Sequence, residues 1–168
     1  MKLSFLKFKT RAYLKRNKAI RTNLSYNQAH SIGIIFTVEN KAKHDEIKDF
    51  IKHLEQDGKQ AKVISLLPKN KDNYDFMFDF FTERDLSFWG NITSSIAEKF
   101  TEIPFDFLYC LDTVPNPLIL NLVAKSKAKC RVGKYWEKEQ GYFEMMIESQ
   151  DGIKALIETM YKYTRTIK

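Results

Sequence analysis

The sequence predicts an α/β protein, a three-layer sandwich around a mostly parallel sheet of about five strands, preceded by a basic N-terminal helical extension. Short apolar runs rich in β-branched residues predict strands that are covered on both faces. These runs alternate with segments whose apolar residues recur at helical spacing, which is the order expected for a parallel sheet. The first 38 residues contain eight basic and no acidic side chains. We therefore divide the chain into an extension, residues 1–30, and a single α/β domain, residues 31–168.

The first half of the domain begins with a strand, a helix and a second strand. Residues 31–38, SIGIIFTV, form the first strand. Apolar spacing predicts a helix over residues 43–56, which Gly58 is placed to end. Residues 61–67, AKVISLL, form the next strand, and Pro68 stops it. This βαβ unit favours parallel strand pairing.

The middle of the chain is less regular. Residues 74–81, YDFMFDFF, fit a strand and a helix equally, and residues 82–91, TERDLSFWGN, indicate a turn with a short extended piece. Ser94 or Ser95 caps a helix that runs through Phe100. The later elements are a strand at residues 105–111, a helix at residues 117–126, strands at residues 130–135 and 142–147 around a turn containing Gly141, and a helix at residues 151–167.

Composition sets the broad class of the protein. With 168 residues, of which 43% are hydrophobic, the chain can bury a proper core in one domain. No apolar run reaches the roughly 18 to 20 residues that a membrane helix requires. Cys110 and Cys130 lie in apolar, strand-like segments, which favours free buried thiols in the reducing cytoplasm. A disulfide between adjacent strands is the alternative.

The motifs of common enzymes are absent from the sequence. It contains neither a GxGxxG loop after the first strand nor a GxxxxGK loop followed by Ser or Thr. His30, His44 and His53 lack a partner four residues on and a nearby cysteine, so we interpret them as surface or capping residues. We therefore predict a protein that is not an enzyme, with no metal, no cofactor and no small-molecule substrate.

One loop is a candidate ligand site. Ligands of open α/β sheets bind beyond the carboxyl ends of the strands, and Asp112, Thr113 and Asn116 follow a predicted strand directly. The same residue types also cap turns and helix starts, and that structural role is the favoured interpretation.

The positive charge is concentrated at the N-terminus. The chain has 28 basic and 21 acidic residues, a net charge of +7, and removing the eight basic residues of the extension leaves 20 against 21. Those eight residues are Lys2, Lys7, Lys9, Arg11, Lys15, Arg16, Lys18 and Arg21. Such a block favours a polyanionic partner, because binding releases counterions from the polyanion. A solvated tail, an amphipathic membrane helix and a transit peptide are the alternatives.

The extension also has a helical pattern. Its apolar residues recur at intervals of three, seven, seven and four, which predicts one buried stripe on a helix of about 20 residues. The stripe consists of Leu3, Leu6, Tyr13, Ile20 and Leu24.

A second basic segment lies before the penultimate strand. It contains no acidic residue, and its cations are Lys125, Lys127, Lys129, Arg131 and Lys134. We predict that these residues contact phosphates together with the extension, and that Tyr135 and Trp136 stack on a base. Packing of both aromatic rings in the core or at its rim is the alternative.

Three segments carry a resemblance to a known family. They are ERDLSFWGN at residues 83–91, PFDFLYCLD at residues 104–112 followed by NPL, and the distinctive SKAKCRVG at residues 126–133. The chain resembles, over residues 32–167, small uncharacterised α/β proteins found largely in one bacterial phylum. It also vaguely resembles half of a heptosyltransferase-type glycosyltransferase, without the second domain and the donor-binding loops.

The family resemblance implies a lineage-specific structural protein of the large ribosomal subunit. Its partners would be rRNA and neighbouring ribosomal proteins in the cytoplasm, with no membrane contact. The alternative function is a cytoplasmic module that binds a small ligand or nucleotide sugar, a degenerate transferase that uses the Asp112 loop.

Overall fold

The computed structural model describes residues 1–22, 24–72 and 78–168. The helices are α1 (Lys2–Arg16), α2 (Lys41–Gln56), α3 (Ser95–Glu102), α4 (Pro117–Lys125) and α5 (Ile153–Arg165). The strands are β1 (Ser31–Thr37), β2 (Gln60–Leu67), β3 (Asp79–Thr82), β4 (Phe107–Cys110), β5 (Cys130–Lys134) and β6 (Met145–Ile147). A 3₁₀ turn, Glu83–Asp85, follows β3.

The six strands form one sheet in the order β3-β2-β1-β4-β5-β6, and each neighbouring pair is parallel. The predicted α/β class and parallel sheet are confirmed, with six strands where about five were expected. The additional strand is β3, in the aromatic stretch that fitted either a strand or a helix. Residues 73–77 of that stretch lie outside the described residues.

Side chains alternate between the two faces of the sheet and build two cores. Ile35, Leu108 and Cys110 belong to the core beneath α1, α3 and α4. Their neighbours Ile34 and Tyr109 belong to the core beneath α2 and α5. Both faces of the central strands are therefore buried, which explains why those strands read as nearly continuous apolar runs.

The connection from β5 to β6 crosses the sheet without a helix in residues 135–144. Tyr142 and Phe143, predicted to begin the last strand, instead lie buried in this connection. A Cβ atom at Gly133 would lie 2.2 Å from Cζ of Phe143, so only glycine lets the ring pack here. This close approach explains the glycine that ends the SKAKCRVG segment.

Both cysteines are free and buried, as predicted. Burial raises the pKa of the Cys110 thiol and raises that of Cys130 to about 11. His30 and His53 are exposed, but His44 is fully buried, so the prediction of a surface or capping role is wrong for that residue. Its ring packs against Phe36 and Phe78 on the α2 side of the sheet.

Candidate nucleic-acid interface

Helix α1 packs along α4 as part of the helical layer. Leu6 is fully buried in the core, and Thr10, one turn later, is 3% exposed. The Thr10 hydroxyl donates to the carbonyl of Leu6 at 2.8 Å and accepts from Nδ2 of Asn121 at 2.9 Å. This buried pair of polar side chains joins α1 to α4 and fixes how the two helices align.

The predicted buried stripe is wrong for every residue except Leu6. Leu3 is 48% exposed, and Ile20 is 78% exposed because the helix ends at Arg16, after 15 residues. The stripe also included Tyr13 and Leu24, which are not buried either. The observed contact face follows Leu6, Thr10 and Leu14 at intervals of four. Because the middle residue of this face is a threonine, a search for apolar residues at helical spacing does not find it.

The segment after α1 is held against the end of α4. Asn17 Nδ2 donates to the carbonyls of Ala124 and Ser126 at 2.9 and 3.0 Å. Arg21 Nη1 also donates to the Ser126 carbonyl, at 2.9 Å. The last carbonyls of a helix lack partners within the helix, and these side chains supply them. The predicted extension is therefore anchored to the domain at both its helix and its connecting segment.

The outward face of α1 carries a line of cations. Lys7, Arg11 and Lys15 are exposed and lie four residues apart, so each is about 6 Å further along the helix axis. Among the described residues, no carboxylate lies within ion-pair distance of these three side chains. Like charges at this spacing destabilise a helix by a few tenths of a kcal/mol per pair. The arrangement favours an anionic partner that offsets this repulsion.

The second basic segment is largely neutralised within the fold. Lys127 pairs with Glu102, and Lys129 pairs with Asp106 at 2.7 Å. Arg131 is 6% exposed and binds the Glu144 carboxylate. Three of its five predicted phosphate contacts thus serve the protein itself.

Two cations of this segment have no carboxylate partner among the described residues, Lys125 and Lys134. The Lys125 ammonium lies 5.2 Å from the ring centroid of Tyr13, on α1. Asn17 binds the carbonyls on either side of Lys125, which brings Arg16 and Lys18 next to the connection after α4. Lys125 therefore extends the basic surface of α1, whereas Lys134 lies at the far end of β5.

Of the 13 cations predicted to bind RNA, Arg21, Lys127, Lys129 and Arg131 face carboxylates. The nine others have no such partner within the described part of the chain. Two of these donate to the loop after β3: Lys2 to the carbonyl of Leu86 at 3.4 Å, and Lys9 to Oδ1 of Asn91 at 2.5 Å. Of the seven that remain, Lys125 and Lys134 belong to the second basic segment, and five lie on α1 or directly after it: Lys7, Arg11, Lys15, Arg16 and Lys18. We refer to these five residues as the α1 basic face.

The pairing of Lys129 with Asp106 predicts acid sensitivity. Burial favours a raised pKa for Asp106, but Lys129 and the amides of His30 and Ser31 outweigh it and lower the pKa below its ordinary 3.8. The resulting stability is present above that ordinary value and is lost as pH falls through the lowered one. Urea denaturation should show a shallower loss of stability below about pH 4 for Asp106→Asn than for the wild type. An unchanged slope would contradict this role of the ion pair.

The predicted ligand loop lies at the point where the strand order reverses, between β1 and β4. Asp112 is 1% exposed and accepts from the backbone amide of Thr37 at 2.8 Å, from its hydroxyl at 2.7 Å, and from Lys43 Nζ at 2.8 Å. Lys43 is itself 1% exposed. This buried ion pair lies at the switch point where doubly wound sheets usually bind their ligands.

The other two loop residues also serve the fold. The Asn116 side chain accepts from the amide of Leu118 at 2.9 Å and so caps α4. The Thr113 carbonyl accepts from Nε1 of Trp136 at 3.2 Å. The favoured capping role is thus observed for Asn116, whereas Asp112 forms an ion pair and Thr113 contributes a backbone carbonyl.

Only one ring of the predicted stacking pair is exposed. Trp136 is half-buried and packs on Phe143, as in the alternative of packing at the rim of the core, whereas Tyr135 is 37% exposed. Phe88 and Trp89, at 51% and 63%, are among the more exposed rings of the described residues. They lie in the loop that contacts α1.

That loop is fixed in shape by its own hydrogen bonds and by α1. The backbone amide of Gly90 donates to the Ser87 carbonyl at 3.1 Å, and the Ser87 amide donates to the Asn91 carbonyl at 2.8 Å. Gly90 has φ of +76° and lies against the α1 backbone, where a Cβ atom would be 2.4 Å from the amide nitrogen of Leu6. Glycine is therefore required here for both conformation and space.

Gly90→Ala should lower the free energy of unfolding by about 2 to 5 kcal/mol, from the left-handed backbone and the clash with α1. Gly141→Ala is the matched control, because Gly141 has φ of +88° but nothing within 4 Å of the added Cβ atom. It should cost only about 1 to 2 kcal/mol. Equal losses in urea denaturation would show that α1 does not contact the loop this closely.

The fold and surface together define a class: a doubly wound, all-parallel α/β protein with a cationic helix in its outer layer. Within the described residues there is no cluster of His, Cys, Asp and Glu that could hold a metal ion. No helix among those residues is both long and apolar enough to cross a membrane.

The chain belongs to the Family of unknown function (DUF6913), whose sequence model matches residues 2–167. The match includes the whole of α1. No curated protein and no solved structure matches the chain.

Proposed function

We propose that this protein is a non-enzymatic RNA-binding protein and a structural component of the large ribosomal subunit. Its α1 basic face would contact rRNA phosphates, with Lys125 at the edge of the contact. The observation that carries the proposal is the line of Lys7, Arg11 and Lys15, exposed on a docked helix and not ion-paired to any carboxylate among the described residues, although Glu139 lines the same recess as Lys7 and Arg11. Phosphate contacts supply a large share of the affinity of such interfaces.

A comparison with α2, on the opposite face of the sheet, supports the choice of this face. Helix α2 has four lysines and four acidic residues, whereas α1 has six basic residues and none that are acidic. An anionic partner is therefore attracted to the α1 side. The ribosomal assignment, with neighbouring ribosomal proteins as further partners in the cytoplasm, rests on the sequence resemblance described above.

The test is sedimentation of the full-length tagged protein from native extracts through low-salt and high-salt gradients. We expect it to migrate with the large subunit at low salt and to be released as salt rises, because phosphate contacts weaken with salt. Migration only at the top of a low-salt gradient would overturn the proposal. Deleting the N-terminal residues is not a suitable test, because Leu6 belongs to the core.

The small-ligand alternative has less support. Its loop is occupied by the pair between Asp112 and Lys43, both fully enclosed. Nucleotides and nucleotide sugars should leave the melting temperature unchanged if the loop is only structural, and a clear rise would favour the alternative.

A further inference from the structure

The α1 basic face continues into an exposed aromatic surface. The ring centroid of Phe5 lies 5.8 Å from that of Trp89 and 6.4 Å from that of Phe88. The centroids of Phe88 and Trp89 are 5.2 Å apart, and these two rings meet edge to face. Phe8, one turn after Ser4 on α1, is 73% exposed. Together with Trp89, Phe5 and Phe8 line an open recess of about 570 Å³. We refer to Phe5, Phe8, Phe88 and Trp89 as the aromatic platform.

Burial does not account for this platform. Exposed large apolar side chains are common singly, but a contiguous cluster marks a surface that contacts something. The loop that carries Phe88 and Trp89 is not loosely attached, because Gly90 packs on α1 and Lys9 donates to Asn91. The fold thus holds two large rings in a fixed, exposed position.

We infer that the platform stacks unpaired bases of the RNA whose phosphates bind the α1 basic face. This inference rests on the proposed function and extends it from backbone contact to recognition of a single-stranded segment. Aromatic rings beside a row of cations are how proteins commonly bind unpaired nucleotides. Here Lys9 lines the same recess as Phe5 and Phe8, and Lys7 precedes Phe8 on the helix.

The charge around the platform fits this occupant. Two acidic residues, Glu83 and Asp85, lie in the 3₁₀ turn before the loop, and the Asp85 carboxylate accepts from the amide of Thr82 at 2.7 Å. Cations of α1 extend beyond the platform in a line, which a strand of phosphates can follow. An apolar protein surface or an uncharged lipid surface would gain nothing from the stretch of Arg11 and Lys15.

The experiment compares binding of a fluorescent oligouridylate and of a short RNA duplex to the full chain. Trp89→Ala should weaken oligouridylate binding by about tenfold or more, since stacking contributes strongly for each base, and should change duplex binding less than twofold. Trp89→Tyr, which keeps an aromatic ring, should restore most of the affinity. Trp89→Leu, which keeps apolar area without a ring, should not.

Tyr163→Ala is the matched control, because Tyr163 is 49% exposed on α5, across the sheet from α1. It should leave both affinities unchanged. Equal oligouridylate binding by wild type and Trp89→Ala, with duplex binding intact, would overturn the platform while leaving RNA binding standing. Failure of the wild type to bind either RNA would overturn the proposed function itself. Retained affinity in Trp89→Leu, or flotation with phosphatidylglycerol vesicles that depends on Trp89, would show that apolar docking explains the platform instead.

Discussion

Replacing Asp112 with alanine should lower the free energy of unfolding by about 3 to 5 kcal/mol, because it leaves the Lys43 ammonium enclosed without its main counter-charge. The carboxylate also accepts the amide and hydroxyl of Thr37, so three donors lose their acceptor together. Glu39, at 3.3 Å from Lys43, is only partly enclosed and cannot fully replace it. Urea denaturation at neutral pH measures the effect.

The matched control is Asp49→Ala, which removes an exposed carboxylate 3.9 Å from Lys52 on α2. It should change stability by less than about 1 kcal/mol. The double variant Asp112→Leu with Lys43→Met should be clearly more stable than Asp112→Ala, because no enclosed charge remains. If Asp112→Ala were as stable as Asp49→Ala, the Asp112 carboxylate would not be needed for folding. The loop would then again be a candidate ligand site.

The triple variant Lys7→Gln, Arg11→Gln and Lys15→Gln should bind RNA about a hundredfold more weakly at low salt. Each lost phosphate contact removes roughly 0.7 to 0.9 from the slope of log affinity against log salt, so the slope should fall by about 2 to 3. The free energy of unfolding should rise slightly at the same time, because the variant removes two like-charge pairs on α1 that each destabilise the helix by about 0.2 to 0.5 kcal/mol. Filter binding across a salt series, together with urea denaturation, measures both effects.

The control for this variant removes the same charge elsewhere. Lys62, Lys154 and Lys162 are exposed on β2 and α5, and changing all three to glutamine lowers the net charge equally. This control should retain most of the RNA affinity and slope. Comparable losses in both triple variants would mean that RNA responds to net charge alone, and α1 would not be the interface.

The fold was predictable where one physical requirement governs a whole segment. Strands enclosed on both faces need continuous apolar side chains, and the segment SIGIIFTV shows this directly. Capping residues likewise indicate where a helix begins, because the amides of its first turn need acceptors. Ser94 and Asn116 accept from such amides at the starts of α3 and α4. β3 was not distinguishable because its four residues include two phenylalanines that would suit either periodicity.

The site was less predictable because it depends on pairings between distant residues. Arg131 and Glu144 are 13 positions apart, and nothing local indicates that one neutralises the other. A count of charges along the sequence therefore overestimated the number of unpaired cations in the second basic segment. Phe88 and Trp89 were missed because an apolar residue in a sequence is expected to be buried, and only the folded loop shows that these are not.

The alignment of α1 with α4 has a consequence for how the protein is made. Thr10 and its partner Asn121 are 111 positions apart, so the helix synthesised first has no docking surface until most of the chain has left the ribosome. At ordinary translation rates this interval lasts roughly 5 to 20 s. During that time the cationic helix α1 is close to the RNA of the translating ribosome. Any contact that α1 makes with this RNA has to be released before α1 can pack on α4.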